Sequence, residues 1–291
     1  MIQNNNTVAA FTAATVLLST LQSAYPELPP VIPEIASDHW FLSQTQVFGQ
    51  QLVGALLWMQ QSAEYRAAVY QAFNYARLAF KAAPEQAGQE KTIIIDIDET
   101  LLDNTPFEAG ITLSGVGYQQ SHWENWEREG KPQAIAGALE FLQDIDAQGG
   151  KIYYLSNRYG INLEPTIAHL QHLGFPQVER ERVILQYVNN CEESKDQRLA
   201  HIMHNEHVVL IVGDSIDDFY GTKSLQGNAA KRQWVDENAD LFGTKYIMLP
   251  NPVYGSWMAN LATDFYSLPQ LVQNQIAINA LITWDLEQYL R

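Results

Sequence analysis

From Thr92 onward, two hydrophobic rhythms alternate along the chain. Short continuous runs rich in β-branched and aromatic residues occur at Thr92 to Ile95, Lys151 to Leu155, Val183 to Leu185, Val208 to Val212 and Tyr246 to Leu249. Each run is bounded by polar or glycine-containing segments, the pattern of a strand buried on both faces. Between most of them the apolar spacing changes to three and four residues. That spacing predicts helices over Ala136 to Gln148, Leu163 to Leu173 and Asp196 to Asn205. Strands alternating with helices imply an α/β fold built on a doubly wound parallel sheet. Ahead of the sheet, Leu52, Ala55, Leu56 and Met59, then Tyr70, Phe73, Tyr75 and Leu78, predict one or two helices over Gln44 to Ala83. A further helix is predicted over Leu268 to Leu290.

One segment fits neither rhythm. Thr105 to Gln133 is polar and aromatic, too long for an ordinary connection, and follows the first strand directly. It predicts a small inserted cap, about 105–135, over the edge of the sheet. The chain thus divides into an extension (1–43), helices packed on the core (44–84), a core carrying the insert (85–265) and a C-terminal helix (266–291). Within the extension, four of the 12 prolines lie between Tyr25 and Pro33 and mark an extended linker. Thr7 to Leu21 is apolar and small-residue-rich, with no preceding Lys or Arg, and reads either as a cleaved export signal or as an ordinary helix. It is too short and too rich in Thr and Ser for a membrane span, so no transmembrane anchor is expected.

Charge narrows the partners. Lys and Arg number 17 against 33 Asp and Glu, a net charge of −16. Nucleic-acid polymers and anionic membrane surfaces require basic patches and are not expected partners. A small anionic ligand remains compatible, provided that a cation and a few basic side chains make a local positive site. The single cysteine, Cys191, permits no internal disulfide and sits in a polar run that reads as structural.

The first strand runs directly into Asp96-Ile97-Asp98-Glu99-Thr100. Carboxylates at the end of an apolar strand are costly to desolvate unless paired, hydrogen-bonded or metal-bound. In an α/β sheet that edge is where ligands sit. An acidic turn would account for Asp103-Asn104 but not for two aspartates one residue apart on an isoleucine run. The second strand ends in Ser156, Asn157 and Arg158, donors able to hold phosphate oxygens, although the same three residues also make an ordinary loop. A later strand ends in Gly213-Asp214-Ser215-Ile216-Asp217-Asp218, which adds carboxylates for a cation beside a glycine. Between them Lys195 opens a helix.

In this order the four elements resemble the haloacid dehalogenase (HAD) superfamily. Trp58 to Arg66, Asp96 to Asn104 and Leu249-Pro250-Asn251-Pro252-Val253-Tyr254-Gly255-Ser256-Trp257 are similar to class C acid phosphatases, including the lipoprotein e(P4) type of subfamily IIIB. The resemblance implies a HAD-like Rossmannoid core and a Mg²⁺-dependent acid phosphatase acting on phosphate monoesters, nucleoside monophosphates among them as for a 5′-nucleotidase. It implies Asp96 as nucleophile and Asp98 as acid and base. Ser156, Asn157, Arg158 and Lys195 would bind phosphate. The metal would sit between Asp96, the backbone carbonyl of Asp98 and Asp214, with Asp217 and Asp218 behind it. Helix capping is the alternative reading for Asp217. Trp123, Tyr254 and Trp257 would contact an aromatic leaving group, with plain packing the alternative for Trp123, given Trp126 one turn on. A periplasmic or secreted location follows from the resemblance, although no lipid-accepting cysteine is seen near the amino terminus. Two other readings stay open: a phosphotransferase or mutase on the same fold, and a catalytically silent surface or storage homologue. The helices at Gln44 to Ala83 and Leu268 to Leu290 could supply a homodimer face.

Overall fold

Ile93, Ile94 and Ile95 form the centre of the sheet, and each is essentially inaccessible to solvent. In the computed structural model, which describes residues 44–114, 116, 118–188 and 194–284, they belong to β1 (Lys91–Ile95). β1 lies between β4 (Lys151–Tyr159) and β6 (His207–Gly213); β5 (Val183–Gln186) and β7 (Tyr246–Met248) close the two edges. All pairings in this five-stranded sheet are parallel. Alternation along β1 sends side chains to opposite faces. Ile93 and Ile95 pack with Phe73 of α2 (Ala63–Ala82), Phe141 of α5 (Ala138–Ala147) and Leu170 of α6 (Leu163–His172). Ile94 packs with Leu199 and Ile202 of α7 (Lys195–Asn205), and Trp234 of α8 (Gly227–Glu237) borders that cluster. Helices therefore cover both faces, the doubly wound arrangement expected from the alternating pattern. Burying a side chain such as Ile is worth roughly 1.5 to 3 kcal/mol, so this strand alone anchors a large share of the core.

The long apolar stretch before the sheet forms two helices, α1 (Gln44–Gln61) and α2. They break at Ser62, whose hydroxyl accepts from Tyr65 N at 3.0 Å and caps α2. Leu56 and Met59 of α1 pack on Val253, beside Ala109 and Tyr254. The insert contains α3 (Thr105–Ser114) and α4 (Gln120–Glu129). It is closed at its base by an antiparallel pair, β2 (Leu102–Asp103) with β3 (Gln133–Ala134). In the C-terminal segment, α10 (Gln270–Asn279) follows the short α9 (Ser256–Ala259). The linker at Tyr25 to Pro33, the apolar stretch Thr7 to Leu21, Cys191 and residues 285–291 lie outside the described residues. No helix among the described residues is long and apolar enough to cross a membrane.

The strand order β5-β4-β1-β6-β7 places the topological switch point between β1 and β6. In an open α/β sheet the crevice beyond the carboxyl ends of such a strand pair is where ligands bind. Asp96 leaves β1 there and Asp214 leaves β6.

Candidate active site

Asp96 is held at the strand end by its own amide, which donates to Val212 O at 2.9 Å. Its carboxylate pairs with the Lys195 ammonium, which also binds Asp218 Oδ1 at 2.6 Å. Lys195 opens α7, whose start is fixed by a capping box between Ser194 and Gln197. All three side chains are almost fully buried. Asp214 completes the group: one carboxylate oxygen each from Asp96, Asp214 and Asp218 lies within 4.8 Å of the others. Asp214 is steadied by Thr100 Oγ1 at 3.2 Å and Asn251 Nδ2 at 2.9 Å. Asp218 Oδ2 accepts from Ser215 N at 2.9 Å.

Two buried carboxylates, Asp96 and Asp218, and the half-buried Asp214 face one ammonium here, and the charge does not balance. Burial pushes Asp96 up to about 7, although Lys195 pulls it down. Burial, then Asp218 and Asp96, raises Asp214 well above the usual carboxylate range. For Lys195, burial acts to lower the pKa, but Asp218 and Asp96 outweigh it and hold the ammonium charged. Such an excess of hard oxygen donors fits a divalent cation of the Mg²⁺ or Ca²⁺ kind.

Asp98 lies on the other side of the turn. Its carboxylate accepts from Arg158 Nη2 at 2.7 Å and Nε at 3.0 Å, from Ser156 Oγ at 3.3 Å and from Asn104 Nδ2 at 2.9 Å. Arg158 is buried and adds a bond to Thr166 Oγ1 at 3.3 Å. Expected to reach phosphate oxygens, its guanidinium is committed to Asp98. Asn157 is exposed, and its Oδ1 accepts from Arg198 Nη2 at 2.9 Å. Asp217 pairs with Lys231 and, at 3.8 Å, with Lys223. Ser156 to Arg158 lie within β4, which runs to Tyr159 with a register irregularity after Leu155.

Two residues carry weight that sequence reasoning did not assign. Glu99 is 1% exposed and adopts φ 56, left-handed for a non-glycine residue. Its carboxyl accepts from Asn104 N at 2.8 Å and from the Tyr254 hydroxyl. Burial raises its pKa well above the ordinary value, and Asp98 and Asp214 add to the effect. Asn104, fully buried, also donates from Nδ2 to Glu99 Oε2 at 3.3 Å and accepts from Trp126 Nε1 at 2.8 Å. Only their adjacency to the aspartate pair could have flagged them. Of the aromatic candidates, Trp123 is half-buried, its ring edge-on to Phe107 at 5.2 Å. Trp257 is 42% exposed and donates to Tyr254 O at 3.2 Å.

Comparison with known proteins places this geometry. Residues 38–257 match the family described as HAD superfamily, subfamily IIIB (acid phosphatase). The class C acid phosphatase of Bacillus anthracis is similar in structure, with TM-score 0.76 and 32% identity over 82% of this chain and 100% of that one. The same values hold for that enzyme with tungstate bound. Acid phosphatase 1 of Solanum lycopersicum is 24% identical over 165 residues, 55% of this chain and 57% of the relative. The stem 31 kDa glycoprotein of Glycine max is 23% identical over 180 residues, 60% and 63% of the two chains. The match thus spans about three-fifths of these two plant relatives.

Proposed function

The chain belongs to the acid phosphatases of HAD superfamily subfamily IIIB, and from that premise we propose that it hydrolyses small phosphate monoesters through an aspartyl-phosphate on Asp96. The observation that carries the reading is the Asp96–Lys195–Asp218 chain beside Asp214, at the switch point of the sheet. An Asp96 oxygen attacks phosphorus while the bond from phosphorus to the leaving oxygen breaks, and Asp98 gives that oxygen its proton. Water then attacks the aspartyl-phosphate, Asp98 takes the water proton, and phosphate leaves with Asp96 restored. Lys195 has two N–H groups on Asp96 and Asp218; the third is available to an equatorial phosphate oxygen, and the Ser156 hydroxyl would reach one by turning from Asp98 Oδ2. Mg²⁺ held by the Asp96 and Asp214 carboxylates and the Asp98 backbone carbonyl would neutralise charge developing on the phosphoryl group. Tungstate, a tetrahedral oxyanion like phosphate, is bound by the Bacillus anthracis relative. Arg158 acts on Asp98, fixing the carboxylate by charge-assisted bonds.

For the leaving group, Trp123, Tyr254 and Trp257 favour nucleoside monophosphates, since an aromatic ring stacked on a base is worth roughly 1 to 3 kcal/mol. An exported location accompanies this reading and is checked by fractionating cells that express the full chain. The decisive experiment is phosphate release from nucleoside monophosphates and p-nitrophenyl phosphate, with and without Mg²⁺, for wild type and Asp96→Asn. Turnover that survives the substitution, or that ignores chelation, removes the mechanism. Trp123→Ala should lose preference among nucleotides while keeping p-nitrophenyl phosphate turnover; unchanged preference removes the stacking role.

A further inference from the structure

Asn104 touches both the Asp98 carboxylate and the inserted helix α4. Its oxygen accepts from Trp126 Nε1 at 2.8 Å, and its two amide hydrogens point at Asp98 Oδ1 (2.9 Å) and Glu99 Oε2 (3.3 Å). This orientation is chemically forced. An indole N–H can only donate, so it binds the amide oxygen, and the NH₂ group is left for the two carboxylates. Glu99 grips the same residue at its backbone, where Asn104 N donates to Oε1 at 2.8 Å. The ring of Trp126 is held in turn by Phe107 of α3, 6.0 Å centroid to centroid.

We propose that Asn104, oriented by Trp126, is a positioning residue that aims Asp98 at the leaving oxygen, so that the insert contributes to proton transfer as well as to substrate contact. The inference rests on Asp98 being the acid of the reaction. Arg158 and Ser156 hold Asp98 from the side of β4, Asn104 from the side of the insert. With Asn104 removed, the carboxylate keeps Arg158 and Ser156 but loses the contact that aligns it from the side of the insert. Proton delivery matters most for a poorly leaving alkoxide and least for p-nitrophenolate, which departs unprotonated. A positioning defect therefore shows as leaving-group selectivity, which general loosening of the fold does not produce.

The test measures kcat/KM, which reports the first chemical step, for p-nitrophenyl phosphate, phenyl phosphate and an alkyl phosphate such as glycerol 2-phosphate. Asn104→Ala should lower the alkyl value about tenfold, the scale of one lost hydrogen bond, and the p-nitrophenyl value less than about twofold. Trp126→Phe keeps the ring packing on Phe107 without the N–H and should give the same pattern in weaker form. It also serves should Asn104→Ala not fold. Equal losses on all three esters, or no loss, in these variants overturn the proposal. Asp98→Ala separates the two readings. If it too leaves the leaving-group dependence unchanged, Asp98 is not the acid. If it steepens the dependence while Asn104→Ala and Trp126→Phe do not, only the positioning role falls.

Discussion

Single side chains at the switch point sit in an electrostatic balance that substitution should expose. Under the proposed mechanism Asp96→Asn removes the attacking oxygen while keeping the shape, and should lower kcat at least about a thousandfold, measured as phosphate release. Lys195→Ala would leave Asp96 and Asp218 as buried acids without their ammonium. It should destabilise the fold by about 3 to 5 kcal/mol in urea melts at neutral pH. Glu108 provides a pH test away from the reacting groups. Burial alone pushes its carboxyl up to about 7 from 4.5. Its folded form prefers the proton, so the stability it contributes is full below about pH 4.5 and is lost as pH rises through 7. Glu108→Gln mimics the protonated state and should exceed wild type by about 3 kcal/mol at pH 8, with no difference below pH 4.5. Equal stabilities at pH 8 would refute this. The aspartate pair was legible because carboxylates on an isoleucine run stand out against their surroundings. Glu99 and Asn104 were not, because an acid and an amide in a turn look like any other turn until φ 56 at Glu99 and the partner from α4 are known.

At the scale of elements, strand ends do the positioning. A Cβ added at Gly213 would lie 2.2 Å from Asp218 Oδ2, so Gly213→Ala must push Asp218 aside and with it the far anchor of Lys195. Displacements of about 1 Å can cost about a hundredfold in rate. We expect kcat to fall by ten- to a hundredfold, with far-ultraviolet circular dichroism unchanged; full activity would show that Asp218 does not set Lys195. The five core strands were readable because parallel strands buried on both faces carry unbroken apolar runs. The two-residue strands β2 and β3 carry no such signal, and neither does α8, where the apolar residues are sparse. β4 extends past Leu155 because its partner β5 resumes pairing at Tyr159 after a break, a long-range contact that local sequence does not announce. The break at Ser62 between α1 and α2 was latent in a residue type suited to N-caps, yet the apolar spacing runs on across it.

Across the whole molecule, the proposed cation would couple to the fold. Asp96, Asp214 and Asp218 bring carboxylate oxygens within 4.8 Å of one another, so under the proposed role a shared cation stabilises the folded chain by mass action. At a hundredfold excess over Kd this amounts to about 2.7 kcal/mol. For a chain of this size that is a rise in Tm of roughly 4 to 5 °C, read by scanning calorimetry at pH 7.5 with and without Mg²⁺. A Tm indifferent to Mg²⁺ would argue that the carboxylates do not share a cation. The base of the insert bears on how such a molecule can change its tastes. The pair Leu102↔Ala134 and Asp103↔Gln133 brings the two ends of the insert side by side, so what lies between them leaves and rejoins the core at one place. A graft there must match the two-residue seam and also the face that Ala109 of α3 turns to Leu56 and Met59 of α1. Under the positioning role assigned to Asn104, however, a foreign module without a donor in the place of Trp126 should arrive folded yet slow on alkyl esters, and restoring that single N–H should be the first step in adapting it.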